Sequence, residues 1–267
     1  MFAKFQLDIS DYFYNSQINR PENIQTGNEI SNCFGEESYR CMKGFICDNG
    51  KIDGTALKEH WFGIAAADIF ISHSHKDLNK VKAFAGWLYR NFGLKAFIDS
   101  CTWGYVDDLL KLLDDQYCWN KNSETYNYTI RNYTTSHVHM MLATALTEMI
   151  DNTECLMFYK TPNSIKISEE IQNTKSGKRN ETISPWIYHE LSISSMMRQK
   201  NPIRTSALLE HRAEFAQNSL QIGYNVEKAL QELIVINEKD LEVWKTTQHI
   251  PEHPLDTLYK LNTKLAH

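Results

Sequence analysis

The stretch Ala65–Asp77, A-A-A-D-I-F-I-S-H-S-H-K-D, constrains this chain more than any other. Ile69-Phe70-Ile71 is β-branched and aromatic, too short for a buried helix, and stops at the polar cluster Ser72-His73-Ser74, which predicts a central strand. Ser74 stands where an N-cap would, Asp77 follows three residues later as in a capping box, and Leu78, Val81, Ala85, Leu88 and Phe92 then recur at helical spacing. Strand, polar turn and helix form the opening unit of an open α/β sheet, and ligands bind such sheets at the carboxyl ends of the strands. Ser72, His73 and Ser74 are therefore candidate binding residues.

Further units of the same kind follow. Gly93 is a natural helix stop, and Leu94–Asp99 reads as a second strand parallel to the first. The loop Ser100–Tyr105 leaves that strand's carboxyl end and would carry Trp103 and Tyr105 toward Ser72–Ser74, unless Trp103 only caps the core edge. Asp107–Tyr117 and Val138–Ile150 have helical spacing, while Asn120–Ser136, polar with interspersed tyrosines, predicts an ordered irregular surface insertion. Cys155–Tyr159 is a continuous apolar run suited to a strand buried on both faces. The charged segment Lys166–Thr182 predicts a mobile loop. Ser184 and Pro185 then start a helix as N-cap and first residue.

On that helix Trp186, Glu190, Ile193 and Met197 form one stripe, with Ile187, Leu191 and Ser194 beside it, so Glu190 falls inside the apolar sector. It lies past the first turn, too deep for capping or for the helix dipole to favour it. An unpaired buried carboxylate costs several kcal/mol, so Glu190 is at the sector's edge, paired, or functional. Toward the carboxyl end, Ser206–Asn218 reads as helix and Leu220–Val226 as a possible strand; Leu233–Ile236 is a strand with Asn237 capping the next helix, and Pro251 and Pro254 mark a fraying tail. Met1 to about Gly63 has little periodicity apart from a helix at Asp53–Phe62 and reads as an irregular extension.

Composition narrows the function classes. The net charge of −5 is spread over both signs without a basic stripe, which argues against a nucleic-acid partner. The six cysteines have no C-x-x-C pair, so free thiols in a reduced, cytoplasmic setting are expected; Cys33, Cys41 and Cys47 with His60 are too irregular for a metal site. Met1–Ser10 lacks the apolar core of a signal peptide, and no run approaches the roughly 20 residues of a membrane span, so no membrane partner is expected.

Taken in order, D-I-F-I-S-H-S-H-K-D (Asp68–Asp77), F-I-D (Phe97–Asp99) with its loop, C-L-M-F-Y-K-T-P-N-S (Cys155–Ser164) and S-P-W-I-Y-H-E-L (Ser184–Leu191) resemble the successive boxes of a bacterial Toll/interleukin-1 receptor (TIR) domain. The resemblance spans about Ala67–Lys245. It implies an α/β, flavodoxin-like parallel five-stranded sheet with helices on both faces. Residues 1–66 would then be an N-terminal extension packed on the core, 67–245 the domain with an insertion at about 120–136, and 246–267 a C-terminal tail.

It also implies that Glu190 matches the carboxylate that serves catalysis in TIR domains that cleave NAD⁺. Breaking the nicotinamide–ribose bond passes through an oxocarbenium-like state that a fixed carboxylate stabilises. Trp103, Tyr105 or Trp186 could hold the cationic ring by face contact, with Ser72, His73 and Ser74 offering donors. NAD⁺ is then a substrate, with no further cofactor and no metal. The loop after the second strand reads C-T-W-G where receptor TIR domains carry R-D-x-x-P-G, a departure in the loop used for TIR–TIR contacts through which a homo-oligomer would form. Neither flank looks like a sensor or effector domain, so a separately encoded partner is expected. The chain in this respect resembles the stand-alone TIR proteins of Thoeris antiphage systems, which make a cyclic or conjugated ADP-ribose signal. A plain NAD⁺ hydrolase, a non-catalytic TIR scaffold and a nucleoside deoxyribosyltransferase-like enzyme are the alternatives.

Overall fold

The computed structural model describes residues 1–32, 52–61, 66–101, 104–121, 123–169, 178–201, 224–248 and 252–262. Its centre is a five-stranded parallel sheet built from β1 (Ala3–Asp8), β2 (Ile69–Ser72), β3 (Ala96–Ile98), β4 (Cys155–Tyr159) and β5 (Ile234–Asn237). The spatial order is β5-β1-β4-β2-β3. In register, Ile69 pairs with Ala96 on one side and with Cys155 on the other, while Phe5 lies between Met157 and Ile234.

Two expectations about the sheet are corrected. Residues 1–66 do not simply lie against the core: β1 is an interior strand, paired along both edges, with Phe5 and Leu7 fully buried. The strand order consequently differs from the flavodoxin order 2-1-3-4-5. The segments β3-β2-β4 keep the first three places of that order, and the amino-terminal strand takes the fourth.

Side-chain alternation assigns the two faces. Ala3, Phe5, Leu7, Ile69, Ile71, Ala96, Ile98, Cys155 and Met157 enter one apolar cluster, and Phe70, Phe97, Leu156 and Phe158 enter the other, as period-two geometry requires. The helix α1 (Pro21–Asn32) crosses a later helix, and its Ile30 packs against the second cluster. The second cluster receives Leu57 and Trp61 from α2 (Gly54–Trp61), whose first turn is capped by Asp53 accepting from the backbone of Thr55 and Ala56. The first cluster is covered by α3 (Leu78–Phe92), which stops at Gly93 with φ of 68°. Its Gly86 meets Gly27 of α1 so closely that a Cβ on either glycine would lie 1.9 Å from a carbonyl oxygen of the other helix.

The second cluster is completed by α4 (Gly104–Leu113), α5 (Tyr128–Asn152), α6 (Pro185–Met196) and α7 (Glu227–Gln231), and the first by α8 (Glu238–Thr247) and α9 (Pro254–Leu261). Three further expectations change here. The stretch Asn120–Ser136 is not irregular: Trp119–Asn120 pairs with Thr125–Tyr126, and α5 begins at Tyr128, capped by Asn127 accepting from Ile130 N. Its first turns are exposed all round, so no apolar stripe announces them. The Lys166–Thr182 segment contains two antiparallel strands, Lys166–Glu169 and Lys178–Thr182, the latter also pairing Tyr224–Asn225. The 246–267 tail holds α9, whose Leu255 and Leu258 are fully buried and whose Pro254 starts the helix rather than breaking it. The predicted helix Ser206–Asn218 lies outside the described residues.

Candidate active site

Strand parity brings the polar residues together. Ser72 follows Phe70 by two and Asp99 follows Phe97 by two, so both point to the face on which α6 packs Ile187 and Leu191. That helix is set by Ser184, which accepts from Ile187 N, and by Pro185 in its first turn. Its Glu190 reaches the strand ends, where Ser72 Oγ donates to Glu190 Oε2 at 2.6 Å. Asp99 Oδ1 stands 2.6 Å from His73 Nδ1, and the Asp99 charge is felt by Glu190. His73 Nδ1 also lies 3.2 Å from the Ile71 carbonyl. Ser72, His73, Asp99 and Glu190 are 0, 2, 2 and 0 % exposed.

The location is a topological switch point. Neighbouring strands β2 and β4 lead into helices on opposite faces, α3 and α6, so a crevice is expected between their carboxyl ends. Here that crevice is bridged: the buried Asp77 carboxylate, just after β2, accepts from Thr161 Oγ1 and from Asn163 Nδ2, just after β4. Ser164 Oγ accepts from Thr161 N and so holds the second loop in shape.

Electrostatics follow from burial and neighbours. Burial pushes the Glu190 carboxyl well above the usual range, and the Asp99 charge and contact push the same way, opposed only by the Ser72 hydroxyl. For His73, burial is the largest influence and disfavours the imidazolium. The Asp99 charge and hydrogen bond, the Ile71 carbonyl and the Asp77 charge together outweigh it and leave the pKa raised. The cluster thus favours the imidazolium of His73 and the neutral acid of Glu190. Glu190 Oε1 and His73 Nε2 are buried without a hydrogen-bond partner among the described residues.

Of the residues singled out from sequence, Glu190, Ser72 and His73 converge. Ser74 occupies the N-cap position before His75–Asp77 but makes no side-chain capping bond, and the Asp77 carboxylate, the expected other half of a capping box, accepts from Thr161 and Asn163 instead. Trp186 is half-buried, edge-to-face with the rings of His139 at 6.0 Å and His189 at 6.3 Å. Those partners lie on α5 and α6. Trp103 and the side chain of Tyr105 lie outside the described residues. Sequence reasoning passed over Asp99 as a site residue, although a carboxylate at the end of F-I-D, in phase with Phe97, was the signal that marks it.

Among the described residues no group of three or more His, Cys, Asp or Glu is placed to hold a metal ion. No described helix is long and apolar enough to cross a membrane. Cys118 and Cys155 are buried free thiols, that of Cys155 pushed well up by burial; the side chains of Cys33, Cys41, Cys47 and Cys101 lie outside the described residues. Comparison with protein-family models, with curated proteins and with solved structures gives no match to this chain.

Proposed function

We propose that this chain breaks an N-glycosidic bond, with Glu190 as the reacting carboxylate. The observation that carries the reading is Glu190 held by Ser72 at the carboxyl ends of β2 and β3, beside a second carboxyl group. Paired carboxyls of unequal protonation are the usual means of stabilising an oxocarbenium-like state and moving the accompanying proton.

Within that class, NAD⁺ is the proposed substrate, and the support is the resemblance of the four sequence boxes to TIR enzymes. The ribose–nicotinamide bond breaks with its electron pair passing to the nicotinamide nitrogen, which leaves neutral. The positive charge moves to the ribose, where Glu190 faces it as carboxylate. The attacking oxygen or nitrogen then bonds the anomeric carbon and gives its proton to Glu190. Water as nucleophile yields ADP-ribose; a group within the substrate yields a cyclic isomer, and a second molecule a conjugate. Burial holds the Glu190 carboxyl toward its neutral form, and an arriving pyridinium cation favours its ionisation. Binding and ionisation are coupled. The proposal extends to a cytoplasmic antiphage role in which the product signals to a separately encoded partner.

The test is to incubate the full chain with NAD⁺, in parallel with Glu190→Gln, and to identify products by mass. Nicotinamide release by the native protein and not by the variant supports the reading; intact NAD⁺ under all conditions sinks it. One observation favours a second reading: Glu190 has no solvent exposure, so substrate must displace whatever covers it. As a non-catalytic TIR-type scaffold, the chain would use the cluster to lock α6 onto the sheet. It would then leave NAD⁺ intact while binding another TIR domain.

A further inference from the structure

We infer that α5 is a self-association surface: its amino-terminal turns pair antiparallel with the same turns of a second copy of this chain, across a two-fold axis near Thr135. The argument starts from a row of side chains on the solvent side of the helix. Ile130, Tyr133, His137 and Met140 follow one another at steps of three, four and three, which puts them on one face with the spacing of a helix-pair seam. Ile130, Tyr133 and Met140 are 41, 68 and 65 % exposed, and His137 is exposed as well. The helix meets its own core on a different side, through Val138, Leu142, Ala145 and Met149. Propensity does not hold the projecting turns: from Tyr128 to Ser136 every residue except Arg131 is a middling or poor helix former. Arg131 Nε and Thr134 Oγ1 tie one side of the segment to the Asp114 carboxylate, at 2.7 and 2.9 Å, while the row itself faces solvent.

Symmetry, charge and area make the occupant a second copy. The spacing of the row reads the same in both directions. A two-fold therefore sets Ile130 of one chain against Met140 of the other and Tyr133 against His137, each contact occurring twice, as an isologous interface requires. Within one chain the Tyr133 and His137 rings already meet edge to face, centroids 4.4 Å apart, so the middle of the pair would be filled by aromatic rings. Self-pairing brings no like charges together: histidines aside, the one charged residue from Tyr128 to Thr147 is Arg131, which is bound to Asp114. A strongly acidic or basic partner would find no counter-charge along the row. Pairing over these turns would remove on the order of 500 Å² from each chain, about the 1,000 Å² in total that a specific interface needs.

This inference is independent of the chemistry at Glu190. Its test is sedimentation of the full chain over a micromolar concentration series, where the native protein should reach twice the mass of one chain. Ile130→Glu and Met140→Lys each set an unpaired charge against an apolar side chain of the second copy and should weaken the dimer by about tenfold or more. Both positions are exposed in the single chain, so the variants should fold, with the far-ultraviolet circular dichroism of the native protein. Mixing the two variants brings the introduced carboxylate opposite the introduced ammonium group and should restore a mixed dimer. A native chain that stays monomeric overturns the proposal. So does a dimer that ignores both substitutions, which would put the contact on another face, and so does a mixture that associates no more tightly than either variant alone.

Discussion

The two ends of the sheet both hold carboxyl groups, half-buried at the amino end and buried at the carboxyl end, and they treat them in opposite ways. At the amino end, Asp68 Oδ2 accepts from Lys95 N at 2.7 Å, Glu154 N donates to the Asp68 carbonyl at 3.0 Å, and Tyr259 Oη donates to Glu154 Oε1 at 2.8 Å. Backbone groups of the segments leading into β2, β3 and β4 are knitted side to side by these acids. At the carboxyl end, Glu190 faces another acid, one of its oxygens has no donor, and His73 Nε2 is likewise without a partner among the described residues. The Asp68 and Glu190 carboxyls are both held above the usual range, burial being the first cause in each. What differs is the work the neighbours do: the acids at the amino end fasten strands through their hydrogen bonds, whereas burial and a like charge hold Glu190 toward its neutral form.

The largest effect that would break this contrast concerns Glu190→Gln. The amide of Glu190→Gln replicates the neutral acid that burial favours, so the melting temperature should hold while turnover falls by about 10² to 10³, roughly 3 to 4 kcal/mol of barrier. Unchanged turnover, with native activity in hand, would place Glu190 with the fastening acids.

The next effect is a decline of stability with rising pH. Glu190 and Asp68 bind their protons more tightly folded than unfolded, so they stabilise most below the ordinary carboxylate value of about 4 and lose this as pH rises through their raised folded values. His73, also raised, contributes fully below about 6.5 and loses its contribution as pH climbs through its folded value. From about pH 5 to about pH 8, urea midpoints of the native protein should fall more, or rise less, than those of Glu190→Gln, with His139 and His189, held low by burial, pulling the other way in both. Equal slopes in the two proteins contradict the assignment.

Smaller effects belong to the amino end. Asp68→Ala removes the acceptor of Lys95 N and should cost about 1–2 kcal/mol in stability, with catalysis per folded molecule untouched. Tyr259→Phe, which removes one hydrogen bond to Glu154, should cost about 0.5–1.5 kcal/mol by the same chemical denaturation assay. If either slows turnover without loss of folded protein, the two ends are coupled and the contrast is too sharp.

Legibility in the sequence followed the range over which each signal acts. The strands β2 and β4 and the helix α6 announce themselves locally, through apolar runs and through Ser184 with Pro185. So does Glu190, as a charge in an apolar sector. The strand β1 does not: Ala3, Phe5 and Leu7 alternate with Lys4 and Gln6 over only six residues, and its partners are Cys155–Tyr159 and Ile234–Asn237, far along the chain. The amino-terminal turns of α5 are hidden for another reason: they are exposed on every side, and only the Asn127 cap marks their start. Asp99 was visible in phase with Phe97, but its meaning depends on Glu190 and His73, and no spacing rule joins residues 73, 99 and 190.

The interior position of β1 also sets the order of events as the chain leaves the ribosome. Ala3 finds its first lateral neighbour, Cys155, only after the whole of β2, β3 and α5 has emerged, a delay on the order of ten seconds at ordinary synthesis rates. Until then both edges of A-K-F-Q-L are open to any other strand, and Lys4, which later pairs with Glu232, keeps a charge in the middle of that exposed segment. β1 is thus placed to be clasped from both sides, by β4 and finally by β5.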